Sequence, residues 1–80
     1  MNLEKQNKYH KIFAEALGIK ESDLKKDIKY NEIPEWDSIG HMTLISALEE
    51  NFKINIDTDD IVDFSSYEVG KKILLKYLDK

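Results

Sequence analysis

Ser38 is the residue of this chain best placed to do chemistry. It stands in Glu35-Trp36-Asp37-Ser38-Ile39-Gly40-His41-Met42, where a loop gives way to helical periodicity. A serine hydroxyl has three uses at such a place. It can cap the helix by accepting a backbone N–H, its ordinary job there. It can act as a nucleophile if a base lies within reach, and His41, three residues on, invites that reading. It can also accept a modification, because helix N-terminal N–H groups and the dipole favour an attached phosphate. The nucleophile is the poorest of the three. The sharp turn that exposes a hydrolase serine needs glycine where Trp36 stands. Eighty residues also leave little chain for a water-excluding pocket, so no enzyme is expected. Asp37 is itself a good cap, which leaves Ser38 free for another use.

Metal chemistry has less support. Asp57, Asp59 and Glu68 match positions 1, 3 and 12 of a calcium loop, but Ile61 and Val62 occupy places that need a ligand and a glycine. Cysteine is absent and there are two histidines, so neither a thiolate site nor a disulfide is expected, and no metal site.

The elements that must position Ser38 follow from periodicity. Leu3 to Leu17 reads as a helix, with Tyr9, Phe13, Ala16 and Leu17 on one face and Ile12 beside them. Gly18 stops it. Residues 19–37 form a long connection with single apolar anchors at Ile19, Leu24, Ile28, Tyr30 and Ile33. Ser22 is placed to cap a short turn at Asp23-Leu24-Lys25, and Pro34 disfavours helix before Trp36. Ser38 to Phe52 is the second helix. Leu44, Ile45, Leu48 and Phe52 form its inward stripe, with His41 in the middle of it. Ile39, Met42, Thr43, Ser46, Glu49 and Glu50 fall on the other side. Ile39 and Met42 either pack under the loop or form an apolar docking patch rimmed by acids. Residues 53–57 are a linker anchored by Ile54 and Ile56. Thr58 can cap a short helix to Phe64, with Asp59 and Asp60 in its first turn. Ser65 and Glu68 fit a capping box for a last helix to about Leu78. Gly70 inside that helix implies a close approach by a neighbour. The expected fold is all-α: a small four-helix bundle, three main helices and one short one, with a long loop after the first. Residues 1–80 are read as one domain.

Charge is partitioned along the chain. Residues 1–29 hold seven Lys and five acids, residues 30–70 ten acids and only Lys53, and residues 71–80 four Lys and one acid. The segment around Ser38 is therefore strongly acidic. Its acids are either solvated surface or a field that steers basic partners. Nucleic acid, which needs a basic footprint, is not an expected partner. The start lacks the apolar core of a signal peptide, and no apolar run exceeds three residues. A cytoplasmic monomer with no membrane insertion is expected.

Asp37-Ser38-Ile39 and the following Gly40 to Phe52, ending Leu48-Glu49-Glu50-Asn51-Phe52, resemble the acyl carrier protein signature. That signature is an Asp-Ser-Leu-like triplet opening a helix that ends Leu-Glu-Glu-x-Phe. Leu17-Gly18-Ile19 resembles the end of the family's first helix, and Val69-Gly70 the start of its last. The resemblance implies that Ser38 bears 4′-phosphopantetheine, moved from coenzyme A by a phosphopantetheinyl transferase with Mg²⁺ assisting. It implies a non-catalytic carrier that holds an acyl or aminoacyl group as a thioester. A loading ligase or transferase and downstream acyl-using enzymes would be partners, with Asp37, Ile39, Met42, Glu49 and Glu50 as contact residues. Carriers of fatty-acid synthesis typically follow the triplet with Asp-Thr-Val-Glu. Gly40-His41-Met42-Thr43, with Trp36 ahead, is closer to carriers of a specialised pathway. The Gly-Gly that amino-acid carriers of nonribosomal synthesis usually place before the serine is missing. His41 on the inward stripe would be an awkward polar lining for a long alkyl chain, so a short cargo is expected. The competing reading is an unmodified helical interaction module.

Overall fold

The computed structural model describes residues 3–24 and 27–78. Among the described residues four α-helices follow one another: α1 (Leu3–Leu17), α2 (Ser38–Phe52), α3 (Thr58–Asp63) and α4 (Tyr67–Leu78), a small all-α bundle with the long loop after α1. No helix among the described residues is long and apolar enough to cross a membrane.

The inward face of α1 is Tyr9, Ile12, Phe13, Ala14 and Leu17. Ala14 is buried, and Ala16, expected on that face, packs only partly against the core. Gly18 ends the helix in the left-handed region at φ +71°, which costs glycine nothing. Its N–H donates to Glu15 O at 3.1 Å and that of Ile19 to Ala14 O at 3.0 Å, the paired bonds of a Schellman stop.

The long loop is part of the core. Ile28 and Trp36 are fully buried, and Ile19, Leu24 and Ile33 pack against the same cluster. Trp36 meets Phe13 of α1 edge-on, ring centroids 5.0 Å apart. Its expected short turn is a 3-10 turn at Glu21–Asp23 that begins after Lys20, so Ser22 lies within the turn and does not cap it. Lys25 lies outside the described residues. Further along, the loop pairs with the entry to α4: Tyr30 N–H donates to Ser65 O, and Tyr67 N–H to Ile28 O, both at 2.8 Å.

That pairing shifts the start of α4. Ser65 was the expected cap, but Ser66 takes the role, its Oγ accepting Val69 N–H at 3.2 Å. Glu68 does not close a box; its N–H is taken by the Asp27 carboxylate at 3.1 Å. Donation from Glu68 N–H, and from Ser66 next, holds the Asp27 carboxyl below the usual carboxylate range. Asp57, not Thr58, occupies the N-cap position of α3, and that helix ends at Asp63 because Phe64 turns into the core. Asp60 does more than complement the α3 dipole. Its carboxylate accepts from Lys76 Nζ at 2.7 Å and from the Tyr77 hydroxyl, tying α3 to α4 and lowering its pKa. A Cβ on Gly70 would stand 2.2 Å from the Phe64 ring and 2.6 Å from the Tyr9 hydroxyl, so glycine there is a packing requirement.

Candidate functional site

Ser38 is the first residue of α2, and the hydroxyl is not spent on the helix. Asp37 is the cap, extended at φ −105°, and its Oδ1 accepts Gly40 N–H at 2.9 Å. Four N–H groups at a helix start have no intrahelical acceptor, and this bond satisfies one of them. Those of Ser38 and Ile39 remain on the dipole's positive end, beside an exposed serine oxygen. Ser38 Oγ lies 3.3 Å from the Tyr30 hydroxyl. An exposed hydroxyl next to helix N-terminal N–H groups fits a phosphate-linked group.

The loop is brought to Ser38 by Gly40. A Cβ there would stand 2.1 Å from the Glu35 carbonyl oxygen and 3.4 Å from Leu17. Only glycine lets residue 35 lie so close to the first turn of α2. Trp36 then drops into the core, and its Nε1 donates to His41 Nδ1 at 3.0 Å. Indole N–H is a donor only, so Nδ1 is the acceptor and His41 carries its proton on Nε2. Nε2 donates in turn to Ile61 O at 2.9 Å. His41 therefore links the loop, α2 and α3, and it has no hydrogen bond to Ser38 that would make a nucleophile–base pair.

Two surfaces flank Ser38. On the outer side of α2, Ile39 is 79% and Met42 54% exposed, so neither is packed under the loop. They line a shallow groove with Ser38, Thr43, Ser46, Ala47 and Glu50. Glu49 is placed differently. It is half-buried and its Oε2 accepts Ile56 N–H at 2.9 Å, which fastens the α2–α3 linker. Of the two expected acids, Glu50 is the one on the groove. Asp37 is exposed and also serves as the cap. On the other side, a mostly apolar cleft of about 240 Å³ opens between α2 and α3, lined by Tyr30, His41, Ile61, Val62, Phe64 and Ser65.

Sequence reasoning missed three contributors. The sequence shows Tyr30 only as a loop anchor and Gly40 only as part of a motif, and it points to no partner for Trp36. Gly40 carries a usable signal, since glycine in a helix is unfavourable by about 1 kcal/mol and its presence there points to a close approach. The contacts of Tyr30 and Trp36 depend on how the loop crosses the bundle, and no local pattern encodes that.

Residues 10–68 match the family model of the phosphopantetheine attachment site. No solved structure matches the chain.

Proposed function

Because this chain belongs to the phosphopantetheine attachment-site family, whose covalent cofactor is 4′-phosphopantetheine, we propose that Ser38 is the residue that bears the group. Proteins of this family are in general non-catalytic carriers, served by phosphopantetheinyl transferases and acyl-handling enzymes. The observation that carries the assignment to Ser38 is the division of labour at the start of α2. Asp37 caps the helix, which leaves the serine oxygen exposed for a transferase.

The bound group supplies a terminal thiol that holds cargo as a thioester. The chain's own residues do the rest. The rigid start of α2 fixes where the arm is rooted, and Ile39, Met42 and Glu50 offer partners an apolar patch with an acid at its edge. The acids of residues 30–70, most of them exposed, steer basic surfaces toward it.

The cargo proposed is a short acyl, hydroxyacyl or aminoacyl group of a specialised pathway. The support is volume, not the polarity of His41. Both His41 nitrogens are already hydrogen-bonded, so its ring is no obstacle to an apolar chain. The cleft of about 240 Å³ is small, however. A long alkyl chain would extend beyond it.

Incubation with coenzyme A and a transferase is expected to add one phosphopantetheine to the wild type and none to Ser38→Ala. The circular dichroism of Ser38→Ala should be nearly unchanged, because Asp37 still caps. A wild type that remains unmodified would favour the unmodified interaction module. For the cargo, holo-protein loaded with acyl chains of rising length should gain thermal stability only over the first few carbons. A steady rise out to long chains would contradict the short-cargo reading.

A further inference from the structure

We propose that Tyr30 holds the root of the arm: its hydroxyl donates to the phosphodiester formed on Ser38 and keeps that group on the α3 side of α2. This deepens the Ser38 reading and rests on it.

Tyr30 is anchored at both ends. Its N–H donates to Ser65 O at 2.8 Å, beside the Lys29–Ser66 bridge. Its ring stands edge-on to His41 at 5.4 Å and to the fully buried Trp36 at 6.0 Å. The residue is 39% exposed, and its hydroxyl lies 3.3 Å from Ser38 Oγ. The ring also forms part of the wall of the α2–α3 cleft, and Tyr30 takes no part in the outer groove of Ile39, Met42 and Glu50. Tyr30 thus joins Ser38 to one of its two flanking surfaces and not to the other.

The chemistry of attachment sharpens this contact. In the unmodified protein either hydroxyl can donate to the other. During transfer, Ser38 Oγ forms a bond to the pantetheine-bearing phosphorus of coenzyme A. The bond from that phosphorus to 3′,5′-adenosine diphosphate breaks, and the serine proton leaves to a base of the transferase. The ester oxygen left behind has no proton. From then on Tyr30 can only donate, to that oxygen or to an anionic phosphate oxygen, and a hydrogen bond to an anion is the stronger kind. Attachment therefore converts a two-way contact between neutral groups into a one-way, charge-assisted one. Tyr30 is a positioning residue toward the arm and takes no part in the transfer itself.

Tyr30→Phe tests this, because the ring that packs on Trp36 and His41 is kept and only the hydroxyl is lost. Wild type and Tyr30→Phe are converted with coenzyme A and a transferase, and intact mass confirms one addition to each. Phosphorus-31 NMR is then recorded on both holo-proteins. The phosphodiester resonance of Tyr30→Phe should be displaced and narrower, reporting a root released from its donor. In the wild type, the ring-carbon signal next to the Tyr30 hydroxyl should move on conversion, while those of Tyr9, Tyr67 and Tyr77 stay in place. A tyrosine that only packs would shift the thermal midpoint and leave the phosphorus signal where it was. Superimposable phosphorus spectra with an unmoved Tyr30 signal overturn the inference and leave the Ser38 assignment standing. A wild type that takes up no group, and so gives no phosphorus signal, overturns the Ser38 assignment and this inference with it.

Discussion

Replacing His41 by leucine should destabilise the fold by about 2 kcal/mol, although the new side chain is more apolar. The reason lies in what His41 leaves behind. Trp36 is fully buried, and its indole N–H has His41 Nδ1 as its acceptor at 3.0 Å. Orphaning such a donor costs about 1–3 kcal/mol. The Ile61 carbonyl, which accepts from His41 Nε2 at 2.9 Å, is only part-buried. Water can replace that bond, so its loss adds under about 1 kcal/mol. Leucine's extra apolar contact at a half-buried position returns at most about 1 kcal/mol. A chain of eighty residues has a total stability of roughly 4–12 kcal/mol, so the net loss is a large share. Urea unfolding followed by far-UV circular dichroism reads the midpoint in every variant, and the fluorescence of Trp36, the sole tryptophan, reports the environment of the bond wherever that residue is kept. A double-mutant cycle with Trp36→Phe should return a coupling of about 1 kcal/mol or more. If His41→Leu matches the wild type within about 0.5 kcal/mol and shows no coupling to Trp36, His41 is an ordinary surface histidine and the link between loop and α3 is not real.

Gly40→Ala should lower the urea midpoint, because a Cβ 2.1 Å from the Glu35 carbonyl forces the loop backbone to move. Alanine gains about 1 kcal/mol of helix propensity, and overpacking against backbone costs about 1–3 kcal/mol or more; a stabilised variant would contradict the packing described. The acid limb of stability should depend on Asp27 and Asp60, whose carboxyls are held below their ordinary range by Glu68 N–H and by Lys76 respectively. A depressed folded-state pKa contributes stability above the unfolded value, about 3.9, and loses it as pH falls through the folded value. Unfolding midpoints between pH 5 and pH 2 should therefore fall less steeply in Asp27→Asn and Asp60→Asn than in the wild type. Glu50→Lys should slow docking to a transferase with a salt dependence and little change in stability. Glu49→Lys should also lower stability, since Ile56 N–H loses its acceptor; equal melting curves for the two would show that the Glu49 contact has no weight.

The helices were legible because each advertises itself locally. The spacing of Tyr9, Phe13 and Leu17, the stop at Gly18, and the Asp37-Ser38 start of α2 all lie within a turn or two of the residues they govern. What periodicity does not show are contacts made across a change of element, whether the partner is five residues away or thirty-five. Ser65 has the spacing of a cap, but its carbonyl is taken by Tyr30, thirty-five positions earlier, and the cap is Ser66. Glu49 has the spacing of a solvent-facing acid, but a backbone amide seven residues on turns it inward. His41 looked like an unpaired polar group on an apolar stripe. Its two partners come from the loop and from α3, which periodicity along α2 cannot show.

The central claim is that Ser38 bears the phosphopantetheine arm. Of the five serines, Ser22, Ser38, Ser46, Ser65 and Ser66, only Ser38 opens α2 beside its cap. Fragmentation mass spectrometry of the wild-type protein after incubation with coenzyme A and a transferase locates the group directly. The account predicts a single modified peptide, with the mass increment fixed on Ser38 and none on the other four. Stoichiometric attachment at any of those four, with Ser38 unmodified, would contradict it.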